Sequence, residues 1–209
     1  FPAFADARYV WAPQTIYDEQ AGRYLVYFTI YRQGDTYGRF YGAYADSSFT
    51  ALTCEPFLMF APENGGLDAD IVFLDGTYHF FYKGCTVDAD GQETHNGIRQ
   101  ATAPTLMGPW QETGQYADAY WNTRIGVEGS CVFPLIGGQE WVLMYDLFGS
   151  HRYEFQTSTD LHSFSNKPQA FTKDFSPRHG TVMQISAREA ARLAEAFPSQ
   201  TVAVRNKDK

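Results

Sequence analysis

Apolar and polar residues follow a recurring order along the chain. A carboxylate opens an apolar segment at Asp68, before residues 69–73, and again at Glu128, before residues 129–133. Each apolar segment is followed by turn residues and then by a second segment that is rich in aromatics. Short apolar runs bounded by turn residues are typical of β-strands. We therefore interpret both acids as the openings of buried strands that converge on one polar centre.

The same order recurs in three units of about 50–60 residues each. The predicted strands cover residues 9–17, 23–31 and 40–46 in the first unit, 67–74, 77–83 and 97–102 in the second, and 127–135, 140–147 and 152–158 in the third. Short fourth strands are expected after these, and a fourth unit begins at Arg178 but soon stops. This arrangement is typical of propeller blades. A β-sandwich also contains many short strands, but it lacks the repeated four-part order.

The last part of the chain has a helical rather than a strand pattern. Ser186 and Glu189 are spaced as a capping box, in which each side chain satisfies a backbone amide of the other residue. Ala190, Leu193, Ala194 and Phe197 then fall on one helical face. The sequence predicts a short packing helix here, followed by a frayed tail.

Composition and charge narrow the classes of partner. The chain has 209 residues, which suits one domain, and 17% of them are aromatic. Its net charge of −8 argues against a nucleic-acid partner, whereas a neutral sugar is compatible with it. No apolar run is long enough to span a membrane, and the sequence shows no basic-then-apolar signal peptide. The chain begins at Phe1 rather than Met, so a removed leader stays open. We expect a soluble protein and leave its compartment open between cytoplasm, periplasm and secretion.

Three full units and part of a fourth leave one blade edge open. An open edge exposes a row of unpaired backbone groups, and another chain or a folded-back N-terminal segment must cover it. We expect a homodimer that completes the propeller. The three cysteines have no metal-binding spacing, and we expect them to be free thiols: Cys54, Cys85 and Cys131.

The first strand of a propeller blade lines the central channel. Residues 11–14, Asp68, Glu128 and His179 hold similar early positions in the four units and should therefore meet at that channel. Two carboxylates on one cavity are what glycoside hydrolysis requires, because one acid protonates the leaving oxygen and a second carboxylate activates water or attacks directly. Each residue also has a structural alternative: Glu128 as a satisfied acid at a strand start, His179 as a core histidine, and Trp11 as packing between blades.

Several motifs resemble glycoside hydrolase family 43, and they occur in the family's order from Tyr9 to about Leu193. They are Trp11-Ala12-Pro13, Leu67-Asp68-Ala69-Asp70, Leu106-Met107-Gly108-Pro109-Trp110, Val127-Glu128-Gly129 and Pro177-Arg178-His179-Gly180-Thr181-Val182. Members of that family are five-bladed propellers that hydrolyse arabinosides or xylosides with inversion. The resemblance implies an all-β, incomplete five-bladed propeller of about three and a half blades. Residues 1–185 would form the partial catalytic propeller, and residues 186–209 the helix and tail.

The resemblance also implies roles for individual residues. Glu128 would be the general acid, and Asp68 the neighbouring carboxylate that orients it and raises its pKa. His179 matches a histidine that helps to hold a structural calcium ion through water, and Trp11 would belong to the sugar-binding wall. The stretch around Arg178 looks most like α-L-arabinofuranosidases, which remove terminal arabinofuranosyl residues. β-Xylosidase and endo-arabinanase are the alternatives within the family.

One part of the family pattern is missing. The general base of the family is an Asp on a first blade, upstream of the Trp-Ala-Pro motif, and only ten residues precede Trp11 here. Three possibilities stay open. A partner subunit supplies the base, a local acid such as Asp6 or Asp70 replaces it, or the protein is a propeller remnant that binds carbohydrate without turnover. Asp70 is also a rival of Asp68 for the role beside the acid.

Overall fold

The structure is a computed structural model that describes residues 1–170 and 178–198. These residues form three four-stranded antiparallel sheets and one helix. The strands are β1 Ala7–Asp18, β2 Arg23–Arg32, β3 Arg39–Tyr44, β4 Phe57–Phe60, β5 Leu67–Leu74, β6 Thr77–Val87, β7 Glu93–Ala103, β8 Gln111–Tyr116, β9 Glu128–Pro134, β10 Trp141–Leu147, β11 Arg152–Ser158 and β12 Gln169–Ala170. The helix is α1, Ala187–Ala196, and a single 3-10 turn, Pro2–Phe4, precedes β1.

Each sheet is a meander in which consecutive strands are neighbours. We call β1–β4 blade 1, β5–β8 blade 2 and β9–β12 blade 3. The predicted all-β, partial propeller is confirmed, and so are the three units with their short fourth strands. The segment 178–185 follows the course of a fourth inner strand, without further strands of its own in the described residues. The predicted hairpin between β6 and β7 is longer than expected on both sides.

Helix α1 has the predicted capping box, in which the Ser186 hydroxyl accepts from the Glu189 amide. Its predicted packing is not found among the described residues, because no residue of the helix is buried. Residues 199–209, where the frayed tail was expected, lie outside the described part of the chain. Within that part, no helix is long and apolar enough to cross a membrane. The division of the chain at residue 185 stays a prediction.

The core consists of two layers of large side chains between adjacent blades. Aromatic side chains of β2, β3 and β6 dominate the layer between blades 1 and 2, where Tyr27, Phe40 and Phe80 are at most 1% exposed. The layer between blades 2 and 3 includes Phe81 and Leu143, both fully buried. Phe80 and Phe81 are adjacent in β6 and point to opposite faces, as strand alternation requires. Blade 2 is therefore apolar on both faces.

The three inner strands, β1, β5 and β9, contain a bulge at the same place. In each, two residues of the inner strand oppose one residue of the second strand, and these pairs are 12–13, 68–69 and 129–130. The first residue of each bulge has a left-handed backbone: Ala12, Asp68 and Gly129, with φ of 50°, 55° and 65°. His179 has the same conformation in the fourth segment, with φ of 55°. A bulge bends the strand and redirects its side chains.

A buried carboxyl joins the three blades just below the bulges. Asp70 accepts a hydrogen bond from the Val132 amide at 2.6 Å and another from the Tyr27 hydroxyl at 3.3 Å. The Tyr27 oxygen in turn accepts from the Ile71 amide. One strand from each blade therefore contributes to this network. Burial raises the pKa of Asp70 to about 7, against the partial effect of its hydrogen bonds, because a charge is costly in an apolar interior.

We expect Asp70→Ala to lower the free energy of unfolding by about 3 kcal/mol, since it leaves the Val132 amide and the Tyr27 hydroxyl without their acceptor. Urea denaturation followed by tryptophan fluorescence measures this change. Asp90→Ala is the matched control, because Asp90 is an exposed acid in the loop between β6 and β7. A loss no larger than that of the control would show that the network is dispensable.

Asp70 should also make stability depend on pH. The folded protein keeps this proton up to pH about 7, whereas the unfolded chain releases it near pH 4, so stability falls as pH rises between these values. Asp70→Asn carries no titrating proton, and we expect it to reduce this decline. Unfolding in urea at intervals from pH 4 to pH 8 tests the difference. Identical slopes for the two proteins would contradict the assignment.

Candidate active site

The three bulges and the segment 179–181 surround one cleft of about 690 Å³. Ala12, Asp68, Gly129 and His179, all with left-handed backbones, bring short stretches of four segments to this cleft. The lining residues are Trp11, Ala12, Pro13, Gln14, Leu67, Asp68, Ala69, Glu128, Gly129, Ser130, His179, Gly180 and Thr181. All seven residues expected at the channel, 11–14, Asp68, Glu128 and His179, are therefore among them.

Asp68, Glu128 and His179 converge at the wall of this cleft. Their ligand-type atoms all lie within 4.8 Å of one another. Nε2 of His179 is 3.2 Å from Oε1 of Glu128, and its Nδ1 is 3.5 Å from Oδ2 of Asp68. Asp68 is buried, whereas the side chain of Glu128 is 22% exposed to the cleft. The arrangement combines two carboxylates with one imidazole between them.

Gly129 makes this close approach possible. A Cβ at this position would lie 2.7 Å from Cδ2 of the His179 ring, which is far inside van der Waals contact. Its positive φ is also one that glycine adopts without strain. The Gly129 amide donates to Oδ2 of Asp68 at 3.1 Å, and the Ser130 hydroxyl donates to the Asp68 carbonyl. The residues directly after Glu128 therefore hold Asp68 in place.

The pKa values of Asp68 and Glu128 are shifted in opposite directions. Burial raises the pKa of Asp68, and the negative charge of Glu128 adds to this against the opposing effect of His179. The hydrogen bond from His179 lowers the pKa of Glu128, and the positive charges of Lys83 and Arg178 contribute in the same direction. The hydrogen bond to Glu128 raises the pKa of His179. Without a ligand, Glu128 is therefore an ionised carboxylate that is paired with cationic groups.

Asp146 and Arg178 also belong to the site, although sequence reasoning had not placed them there. Asp146 lies on β10 directly opposite Glu128 in the sheet and is fully buried. Nε of Arg178 donates to Oδ2 of Asp146 at 2.5 Å, and its Nη2 contacts Oε1 of Glu128 at 3.2 Å. The other Asp146 oxygen, Oδ1, is buried without a hydrogen bond in the described residues. Arg178 thus links a buried acid to the acid in the cleft.

Trp11 lies in the cleft rather than between blades. Its side chain is 41% exposed, and it stacks on Tyr9 with 4.8 Å between ring centroids. The two acids considered as local replacements for the base are placed elsewhere. Asp6 forms a bidentate ion pair with Arg32, and Asp70 lies buried at the junction of the blades. Neither is among the lining residues of the cleft, and the identity of the base stays a prediction.

The donor set does not match the expected calcium site. Ca²⁺ takes six to eight oxygen ligands. Only two carboxylates line the cleft in the described residues, and both nitrogens of His179 already face these carboxylates. No ring nitrogen is left to hold a water molecule of the ion in this arrangement. We therefore derive no catalytic step through calcium, and the calcium expectation stays a prediction.

Removing Arg178 should destabilise the protein through Asp146. Arg178→Ala removes the guanidinium from the buried Asp146 carboxylate and leaves it with the more distant Nε2 of His179 at 3.8 Å, which is costly because the carboxylate is desolvated. We expect a lower thermal midpoint for this variant and partial recovery in Arg178→Ala/Asp146→Asn. Differential scanning calorimetry measures both, with Arg152→Ala as the control on a more exposed arginine that also pairs with a carboxylate. Strictly additive effects of the two substitutions would argue against the coupling.

Comparisons with known proteins identify the family and the fold of the chain. Residues 3–191 match a family model described as a probable glycosyl hydrolase domain, related to glycoside hydrolase family 43. No curated protein matches the sequence.

Among solved structures, a thermostable family-43 glycoside hydrolase is similar with a TM-score of 0.54 at 14% identity, over 82% of this chain and 62% of its own. The RS223 β-xylosidase matches with a TM-score of 0.56 at 12% identity, over 79% of this chain and 59% of its own. A β-fructofuranosidase from Schwanniomyces occidentalis matches with a TM-score of 0.61 at 13% identity, over 80% and 35%.

These three structures share the fold with the chain, which spans between about a third and two thirds of their lengths. The family model covers nearly the whole sequence. The chain therefore belongs to the family of glycosyl hydrolase domains related to glycoside hydrolase family 43.

Proposed function

We propose that the protein hydrolyses terminal α-L-arabinofuranosyl linkages in plant-type polysaccharides or oligosaccharides, by an inverting acid–base mechanism. The observation that carries this proposal is the convergence of Asp68 and Glu128 on one cleft that has Trp11 in its wall. The volume of the cleft, about 690 Å³, lies in the usual range of ligand sites. The choice of arabinose comes from the resemblance around Arg178 alone, with β-xylosidase and endo-arabinanase as alternatives.

Glu128 is the proposed general acid, and Asp68 the group that tunes it. Oxygen atoms of the two carboxyl groups come within 4.8 Å, which is too close to leave room for the attacking water of an inverting enzyme. Asp68 is therefore assigned to modulation rather than to base catalysis. The hydrogen bond from the Gly129 amide holds the Asp68 carboxylate beside the acid, and burial raises the pKa of Asp68. Trp11 packs against the sugar ring.

Glu128 must gain a proton before it can donate one. In the absence of ligand, His179 and Arg178 keep it ionised. The side chain of Arg178 is 47% exposed, and we propose that sugar hydroxyls displace it from Glu128 when the substrate enters. The negative charge of Asp68 then remains beside Glu128 in a site that has lost its water. Both effects raise the pKa of Glu128 toward the range in which an acid catalyst works.

The general base is assigned to polypeptide outside the described residues. An inverting mechanism places the base about 6.5–9.5 Å from the acid. Asp68 and Glu128 are the only carboxylates that line the cleft in the described part of the chain. We propose that a second copy of the chain supplies the missing group, in the homodimer that the open blade edge suggests.

A binding module without turnover is the second candidate. It is favoured by the same ion pairs, because they hold Glu128 in the form that cannot donate a proton, and by the lack of a third carboxylate in the described lining. A cleft with Trp11 in its wall could still bind a sugar. The two candidates are distinguished by whether Glu128 donates a proton to a leaving group.

Glu128→Gln separates them through the leaving group. A nitrophenolate leaves without help, whereas an alkoxide needs the proton. We therefore expect a loss of about 100- to 1000-fold in kcat/KM for methyl α-L-arabinofuranoside or arabinobiose and a smaller loss for the nitrophenyl arabinoside. The matching xylosides are tested in parallel. Glu140→Gln, an exposed residue remote from the cleft, is the control.

If wild-type protein turns over none of these compounds but binds arabinose or xylose, and Glu128→Gln binds equally well, the binding module is correct. Equal losses for both leaving groups would remove Glu128 from the role of acid while keeping hydrolysis.

Self-association is tested by light scattering across a range of protein concentrations. We expect a dimer that is weakened by Tyr24→Glu, because the contacting rings of Tyr17, Tyr24 and Phe49 form an exposed apolar strip on blade 1, each between 41% and 52% exposed. Phe197→Glu, in the exposed helix, serves as control. A strict monomer at the highest concentration would rule out the dimer and its contribution of the base.

A further inference from the structure

The strands β1 and β2 continue beyond the bulge as a two-stranded ribbon beside the cleft. Above the bulge the register pairs Tyr9 with Tyr31, Val10 with Ile30 and Trp11 with Thr29. Because side chains alternate along a strand, Tyr9, Trp11 and Tyr31 share one face of this ribbon. Val10 and Ile30 lie on the other. The ribbon thus presents a row of three aromatic side chains that starts at the lining residue Trp11.

The three rings form a connected group. Tyr9 stacks on Trp11 at 4.8 Å with 25° between the ring planes, and Tyr31 lies 5.3 Å from Trp11 and 6.3 Å from Tyr9. Gly38 packs directly against Tyr31, since a Cβ on Gly38 would lie 2.4 Å from the Tyr31 ring. Tyr9 and Trp11 are each 41% exposed. The ring of Tyr31 therefore packs beneath the partly exposed rings of Tyr9 and Trp11.

This group does not belong to the packing between blades. The apolar cluster on the other face of blade 1 contains Phe28, Ile30 and Tyr41 and is covered by Phe4 of the 3-10 turn. None of Tyr9, Trp11 and Tyr31 belongs to that cluster or to the two layers between blades, as far as the chain is described. A need to fill the core therefore does not account for three large rings at this place. Their open surface faces solvent next to the cleft.

We propose that Tyr9, Trp11 and Tyr31 form a stacking platform for further sugar units of an extended oligosaccharide, beyond the unit that sits at Glu128. The C–H face of a sugar ring packs well on the negative face of an aromatic ring. Two residues of strand separate Tyr9 from Trp11 by about 7 Å, so the platform leads away from the cleft by roughly one sugar unit. Arg8, whose guanidinium lies 5.2 Å from the centre of the Tyr9 ring, is placed to bond sugar hydroxyls.

The platform assigns the substrate to carbohydrate chains of several units rather than to single glycosides, and in this it rests on the proposed function. The three rings carry no charge, which suits neutral sugar units, and Arg8 beside Tyr9 can donate hydrogen bonds to their hydroxyls. The platform would contribute to affinity for long substrates and not to the chemistry at Glu128. The effect of its removal should therefore depend on the length of the ligand.

Calorimetric titration of the Glu128→Gln protein with arabino- and xylo-oligosaccharides of one to five units tests this without any turnover. We expect affinity for at least one series to rise with length. Adding Tyr9→Ala should cost about tenfold in Kd for ligands of three or more units and nothing for the monosaccharide. Tyr9→Phe should bind like the parent, since stacking needs the ring and not its hydroxyl. Phe73→Ala, which removes an exposed ring that contacts Tyr78 in blade 2, is the control.

Affinity that does not rise with length in either series, or an equal loss for the monosaccharide and for longer ligands, overturns the platform. Hydrolysis by the wild-type protein is measured separately on aryl glycosides. Turnover without length-dependent binding would leave the proposed function intact and remove the platform. Length-dependent binding without turnover would keep the platform and refute the hydrolase.

Discussion

The site depends on the bulge that each inner strand carries at the same point. An extra residue in the left-handed conformation turns the strand, so that residues before it face the cleft and residues after it face the junctions between blades. Asp68 is the first residue of its bulge, whereas Glu128 precedes the bulge of β9. They occupy different positions of the repeat, and yet their carboxyl oxygens come within 4.8 Å. Asp68 reaches this position with a positive φ of 55°, a strained conformation that Asp tolerates better than most residues.

This offset explains what could be predicted from the sequence and what could not. Alternation, turn residues and the spacing of aromatics predict the strands and their order in three blades, because these patterns are local. The bulge shifts the register by one residue, and matching Asp68 directly to Glu128 misses that shift. Arg178 and Asp146 were missed for a related reason. Asp146 comes opposite Glu128 only through the pairing of β9 with β10, and nothing in strand periodicity identifies it as a partner.

The protonation of Glu128 depends on the cationic groups around it. His179 and Arg178 stabilise its charged form, while Asp68 disfavours that form. Arg178 is bound mainly to the buried Asp146 and reaches Glu128 only at 3.2 Å with an exposed side chain. Screening by water makes the second contact the weaker one. A ligand can therefore break the pair between Arg178 and Glu128 while the pair with Asp146 stays intact, which removes part of the charge that keeps Glu128 ionised.

On its fourth side, between blade 1 and residues 178–181, the cleft is closed by a weak contact. The hydroxyl of Thr181 donates to Oε1 of Gln14 at 2.6 Å, and this exposed bond joins the fourth segment to blade 1. A hydrogen bond of this kind contributes about 1 kcal/mol. By contrast, the blades on the other sides are joined by apolar layers and by the buried Asp70 network. Among the described residues, the connection between β1 and residues 178–181 therefore rests on one exposed hydrogen bond, whereas the blades on the other sides are joined by buried side chains.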